Sequence, residues 1–414
     1  MERLNSTGSS GFNPRITAST MEFPVHHMRG GTSTGLVLRD IFVPQNLDLR
    51  EELLRHLMGV PLNGQGPGNR QITGLGRGPA TSNKVFVAGI EETPNGVRLV
   101  STLAQLASDH EGIDWSVNCG NMSASLLLWA LDTGLAGDDG AGPLDLDIRN
   151  TNTGVITTAR MVLKENGGFV QTEIPGVDGA FPGVDLFLHD PAGSKTSKLL
   201  PTGSPVDDIA GYRVSVVDVA VPMVIIEAAS LGKTAREPIA ELAADPVFMA
   251  VLRTIRIAAG LRMELKGRDG RQMTQDELEH SETIPKICIV GPPRSGGHIS
   301  VRYFTPQTGH TSMAVSGGCC LGAAALIPGT IAHIVAQGLQ APGVTFGDIV
   351  VAIENPAGIL EATIVTRVGG QGTEIRSVAY RRNTQILLRG YVPLYRASDT
   401  LLKSLLDNSA CQEF

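Results

Sequence analysis

Aromatic side chains are scarce here: Phe, Tyr and Trp make up 4% of the 414 residues, and charged residues only 18%. No run reaches 18 apolar residues, so no helical membrane span of ordinary length is expected. No long run of Lys and Arg occurs and the net charge is −7. The cationic stripe that nucleic acid requires is therefore missing. The five cysteines, Cys119, Cys288, Cys319, Cys320 and Cys411, include no CxxC and no zinc spacing. Their odd count fits reduced thiols in an intracellular compartment. No His, Asp or Glu cluster has metal-ligand spacing, so no metal is expected. The first twenty residues, MERLNSTGSSGFNPRITAST, lack the apolar core of a secretion signal. Residues 1–20 are expected to be a disordered tail on a cytoplasmic protein, with an organellar targeting segment as the weaker alternative.

Glycine and aliphatic side chains are plentiful instead, with 49 Gly and 42% hydrophobic residues. A chain of this length suits two domains, each large enough for its own core. Short β-like runs such as GLVLRD, KVFVAGI, GVRLVSTL, KICIVG and HISVRYF recur in both halves, separated by Gly and Pro. REPIAELAADPVFMAVLRTIRIAAGL is the clear helical exception, expected as two helices hinged near Pro246. The polar stretch HDPAGSKTSKLLPTGSPVDDIAGY reads as a linker. It sets expected boundaries of 21–204 and 205–394, with residues 395–414 packing back on the first domain.

Two segments resemble each other. NCGNMSASLLLWAL in the first half and VSGGCCLGAAALIPGT in the second both begin with small residues and continue as helices apolar on every face. Such helices belong at the centre of a domain. The pattern predicts an α+β protein of two similar domains, each a curved, mostly antiparallel sheet wrapped round one central apolar helix. Free N–H groups at two such helix starts would suit a small polyanion.

Cys119, at the expected start of the first helix, is a candidate for chemistry, because a helix N-terminus favours the thiolate. Beside it, Asn118 and Asn121 can donate hydrogen bonds to a carboxylate, and Gly120 leaves its N–H accessible. RGGTSTG places Arg29 beside flexible backbone and hydroxyls, which suits anchoring a carboxylate, although a lone Gly-rich loop is a weak signal. Lys84, one of eight lysines, opens an apolar strand; burial there would favour a neutral amine able to act as a base. By residue type alone, a surface lysine at a strand edge is the simpler reading. His310 precedes the second helix, either as a binding group or as a histidine satisfied in a turn. Ser316 aligns with Cys119, followed by Gly317 and Gly318, whereas Cys319 and Cys320 read as core.

In order along the chain, MRGGTSTG, the GLG of QITGLGRG, SNKV, NCGNMSA, IPGT and IENPAG resemble landmarks of one family. It is the PrpF-like methylaconitate/methylitaconate isomerase family, which shares the diaminopimelate epimerase-type fold. The resemblance spans about Met28 to Val392 and implies two epimerase-like domains with the active site in the cleft between them. It also implies isomerisation of small unsaturated di- and tricarboxylates without a metal or organic cofactor. It places the family's basic lysine on Lys84, its CGN cysteine on Cys119, and its substrate-binding loop on Arg29, Gly30, Gly31, Thr32 and Ser33. The chain departs from the family at Thr34, Thr73, the extra residue of TSNK, and Asn355, where HPSG becomes NPAG. Epimerase relatives need two cysteines, and here the second position is Ser316.

These features predict cis–trans or double-bond isomerisation of aconitate or 2-methylaconitate by allylic proton transfer. Shifting the double bond of methylitaconate, or tautomerising 4-oxalomesaconate, is the alternative within the class. An amino-acid racemase and a non-catalytic carboxylate-binding protein are the readings outside it. The expected partner is a small di- or tricarboxylate, and room is left for a homodimer.

Overall fold

The computed structural model describes residues 12–17, 20–78, 82–94, 96–116, 119–137, 140–267, 270–281, 283–370 and 372–410. The chain divides into two compact units. The first takes in the described residues up to Glu173, Gly179–Val184 and those from Arg382 onward; the second takes in Ile174–Asp178 and Asp185–Arg381.

In the first unit, strands β1 (Thr20–Gly30) and β2 (Ser33–Arg39) form a hairpin, and β2 runs parallel to β3 (Lys84–Thr93). Strand β3 pairs antiparallel with β4 (Gly96–Leu106), β4 parallel with β5 (Gly142–Asn150), and β5 antiparallel with β6 (Ile156–Lys164). Parallel neighbours need a crossover. Helix α1 (Leu47–Met58) lies between β2 and β3, while α2 (Gly120–Ser123) and α3 (Leu126–Asp132) lie between β4 and β5.

Strand β7 (Phe181–His189) carries the chain into the second unit, which repeats this order. Strands β8 (Tyr212–Val219) and β9 (Val221–Glu227) are antiparallel, and β9 is parallel to β10 (Lys286–Gly291). Strand β11 (Ile299–Thr305) pairs antiparallel with β10 and parallel with β12 (Gly347–Asn355), which pairs antiparallel with β13 (Gly358–Gly369). Helices α4 (Ile239–Ala244) and α5 (Pro246–Arg262) occupy the first crossover, with Pro246 opening the second helix; α6 (Val315–Ala325) occupies the other. Two parallel and three antiparallel pairings recur in the same sequence, so the fold is an internal duplication.

Helix α6 is the apolar axle expected of the second half: every residue from Gly317 to Ala325 is buried. It packs on β8, β9, β12, β13 and β14 (Gly372–Tyr380). The first half differs. Its apolar segment is two short helices, not one, because the Ser125 N–H and hydroxyl both bond back to the Met122 carbonyl, at 2.9 and 2.7 Å. A serine hydroxyl that competes for backbone in this way interrupts the helical ladder. Met122, Leu126, Leu127, Trp129 and Ala130 are nonetheless wholly buried.

The unit boundaries also differ from 21–204 and 205–394. Strand β15 (Arg382–Pro393) pairs along the whole of β1 from Glu22↔Pro393 to Gly30↔Thr384, and so belongs to the first unit. The stretch read as a linker belongs to the second. Its Ser194 and Thr196 hydroxyls and the Lys195 and Thr196 N–H groups donate to the buried carboxylate of Asp218, at 2.7–2.9 Å. A buried carboxylate needs such donors, and the polar segment supplies them. Helix α7 (Asp399–Ala410) inserts Leu401 and Leu405 into the first unit's core beside Leu53, Leu54 and Leu57. Within the expected tail, Arg15–Thr17 pairs with Thr20–Glu22 as a short antiparallel hairpin; residues 1–11, 18 and 19 lie outside the described residues. Among the described residues, no helix is long and apolar enough to cross a membrane.

Candidate active site

The site in the first unit is built on the β1–β2 turn. Gly31 takes a left-handed φ of 52°, which lets Gly30 and Ser33 pair across a two-residue link. Gly31 N–H donates to the Asn383 carbonyl at 2.9 Å. The Arg29 Nη1 donates to the Gly31 carbonyl at 2.9 Å and to Asn383 Oδ1 at 2.7 Å, and its Nε reaches Gln385 Oε1 at 3.3 Å. The guanidinium also stacks 4.5 Å over the Phe181 ring. Arg29 is 9% exposed, and its Nη2 is buried with no partner among the described residues. No carboxylate pairs with it among those residues, and burial lowers its pKa. A desolvated, unpaired cation with a spare donor suits an anion.

Lys84 opens β3 next to this turn and is 7% exposed. The strand start is held by Asn83, fully buried, whose side chain accepts from Arg77 N–H at 2.9 Å and donates to the Gly78 carbonyl at 2.8 Å. Gln71 fixes the other side of that loop, accepting from Gly78 N–H at 2.6 Å and donating to the Met58 carbonyl at 3.1 Å. Lys84 is thus a buried group and not a surface lysine. Its Nζ donates to Ser33 Oγ at 3.3 Å.

Cys119 is the N-cap of α2, half-buried, with its Sγ 4.0 Å from the same Ser33 Oγ. The Ser33 hydroxyl is therefore in contact with both the amine and the thiol. The helix that follows Cys119 has four residues, too short for the strong dipole expected there; the thiol instead contacts the Ser33 hydroxyl. Asn121 donates to Thr32 Oγ1 at 3.4 Å and accepts from Arg382 Nε at 2.9 Å. A β-carbon added at Gly120 would meet nothing within 4 Å, so packing does not require a residue that small there. Asn118 lies outside the described residues.

The remaining expected site residues, His310, Ser316, Gly317 and Gly318, belong to the second unit. His310 Nδ1 accepts from Ser312 N–H at 3.0 Å, and its ring meets Tyr303 edge-on at 5.8 Å. Burial, and to a lesser degree the charge of Lys286, lower its pKa below the usual histidine value. Ser316 is the second residue of α6 and half-buried. Gly317 and Gly318 face tyrosine rings: β-carbons there would stand 2.6 Å from Tyr303 Cε2 and 2.7 Å from Tyr380 Cε2. Packing alone accounts for both glycines. Cys288, Cys319 and Cys320 are wholly buried, and burial pushes the Cys320 thiol up. Among the described residues no three His, Cys, Asp or Glu side chains are grouped to hold a metal.

Arg382 and Asn383 were not anticipated. Their signal was present in RRNT, where an arginine and an asparagine open the last strand ahead of its apolar run ILL. Only the pairing of β15 with β1 brings them to the turn, some 350 residues away in sequence.

The arrangement brings a buried amine and a half-buried thiol within reach of one hydroxyl, with a buried guanidinium on the same hairpin. Comparison with known proteins agrees with an isomerase. The chain is 32% identical to the putative isomerase YbhH of Escherichia coli K12 over 371 residues, 88% of this chain and 97% of that one. It is 31% identical to a 4-oxalomesaconate tautomerase of Pseudomonas putida, covering 89% and 95%. The crystal structure of a methylitaconate-delta-isomerase superposes with a TM-score of 0.75 at 26% identity, covering 93% of this chain and 97% of that one. The fold is that isomerase fold and the protein is an isomerase. The PrpF protein family matches residues 20–395, and the chain belongs to it.

Proposed function

We propose that the protein is a cofactor-independent isomerase of a small unsaturated di- or tricarboxylate, acting by allylic proton abstraction and return. One observation carries this reading: Ser33 Oγ lies 3.3 Å from Lys84 Nζ and 4.0 Å from Cys119 Sγ, on the hairpin whose Arg29 keeps a buried Nη2 without a partner among the described residues. A proton γ to a carboxylate and allylic to the double bond is acidified by conjugation. Its removal by one member of the pair gives an extended dienolate in which the original C=C loses double-bond character. Rotation there, or return of the proton at another carbon by the other member, yields a cis–trans or positional isomer. Arg29 Nη2 and the turn hydroxyls of Thr32 and Ser33 supply donors to a substrate carboxylate, where the developing charge accumulates. The wholly buried thiols of the second unit favour an isomerase over a two-cysteine racemase.

Aconitate or 2-methylaconitate is the preferred substrate. The likeness to proteins named for 4-oxalomesaconate and methylitaconate supports the same chemistry with a different substituent. Incubation with each of the four acids in deuterated water, followed by NMR, ranks them. The expected result is an isomer carrying deuterium at the allylic carbon for one acid. Lys84→Ala and Cys119→Ala should each lower turnover by roughly 10²–10⁴ while substrate still binds. Failure of all four acids to exchange or isomerise would refute the proposal.

A further inference from the structure

A cavity of about 190 Å³ lies in the first unit, away from the turn that carries Lys84 and Cys119. Its walls include His26, Val37, Arg39, Phe42, Trp129 and Thr133. His26 pairs with Val37 four positions back along the hairpin from Gly30 and Ser33, a separation of roughly 13 Å at the rise of a strand. No residue assigned to the candidate active site lines it.

Most of its walls are apolar or aromatic, with Phe12 set edge-on 5.1 Å from His26 and Trp129 edge-on at 6.4 Å. The polar groups available are mainly donors. Trp129 is fully buried and its Nε1–H has no partner among the described residues. Arg39 is half-buried, and its side chain has no ion pair or hydrogen bond among the described residues; burial weakens its hold on its charge, and the neighbouring Asp40 charge offsets this only in part. The Asp40 carboxylate makes no direct contact with it. It accepts from Ile41 N–H at 2.8 Å and lies against Gly89, where a β-carbon would stand 1.9 Å from Oδ2. The other nearby carboxylate, Asp132, is also engaged. Burial opposes its ionisation, yet hydrogen bonds from His26 and Arg389 bring its carboxyl to about 2. The cavity therefore presents a cation without a direct partner, in a wall shared by apolar and polar side chains, one of which, Trp129, keeps an unpartnered indole N–H.

We propose that this cavity is a second small-molecule site, one that takes a flat aromatic monocarboxylate of the benzoate class. Its carboxylate pairs with Arg39 and its ring fills the space beside Trp129 and Phe42. The volume is adequate, since an apolar cavity of about 150 Å³ holds a benzene ring in another protein. Trianionic acids do not fit, because one cation faces a wall with no further positive charge to match them.

The test is a benzoate titration of ¹⁵N-labelled full-length protein, following the two tryptophan indole N–H signals, with Trp115→Phe assigning them. The Trp129 signal should shift saturably with benzoate and the Trp115 signal should not. Arg39→Met should weaken binding by about 10–100-fold, and Lys84→Ala should leave it unchanged, which separates this cavity from the catalytic turn. Benzyl alcohol, the neutral analogue, should bind much more weakly to the wild type, so the test stands even if Arg39→Met fails to fold. No shift at Trp129, equal binding of benzyl alcohol, or loss of binding in a folded Lys84→Ala variant would each overturn the proposal.

Discussion

Gly30 and Gly120 lie in the same site and impose opposite constraints. A β-carbon on Gly30 would stand 2.2 Å from the Asn121 carbonyl oxygen and 3.1 Å from Met122 Cα, both backbone, so helix α2 would have to move. Gly30→Ala should cost about 1–3 kcal/mol of stability. It should lower turnover further than that, because α2 carries Cys119. Gly120→Ala meets nothing and should leave the unfolding midpoint within the range of ordinary surface changes, about ±0.5 kcal/mol. Thermal melts and turnover of the two variants, measured together, check the contrast; equal behaviour would show that the close approach of β1 to α2 is not what places the thiol. The same scale explains why Lys84 was hard to read. Its type and its place at a strand start fit a surface residue, and only Asn83, Gln71 and Ser33 around it make it a buried amine facing a hydroxyl.

At the scale of elements, local sequence announced most strands, because alternating or continuous aliphatic runs bounded by Gly and Pro leave few other choices. It also announced the hinge at Pro246, which sits at the first position of α5, with Asp245 capping Val247 and Phe248 N–H. Two elements misled. Ser125 broke the first apolar helix through a hydrogen bond that hydropathy does not register. The polar stretch after His189 looked like a linker because its composition is that of a loop. Its donors instead satisfy Asp218, a fully buried carboxylate on β8. Asp218→Ala should therefore destabilise the protein by about 3 kcal/mol, since several donors lose their acceptor inside the fold. Asp218→Asn, which keeps one acceptor oxygen, should recover part of the loss. Denaturant midpoints of the two variants test this, and an unchanged midpoint in Asp218→Ala would return the segment to the status of a linker.

For the whole molecule, the decisive fact is that each compact unit is assembled from discontinuous chain. Strand β15 completes the first unit beside β1, and Phe187–His189 of β7 completes the second beside β14. A fragment of residues 174–381 should give a dispersed amide NMR spectrum. A fragment of residues 205–394 should not, since it lacks β7 and carries β15 without its partner. Equal dispersion of both would mean that the boundary follows the polar stretch after all.

The internal duplication was legible without coordinates because two helices apolar on all faces, each flanked by short strands, admit few other burials. The β1–β2 turn, Lys84 and Cys119 could be singled out as candidates from local motif, whereas the burial of Lys84 and its contact with Ser33 came only with the structure. Pairings between distant segments were decided by tertiary structure alone. Arg382 and Asn383 join Arg29 and Asn121 only because β15 pairs with β1. A strand's partner depends on which apolar face is left uncovered once the rest of the sheet has formed, and the strand's own residues do not encode that.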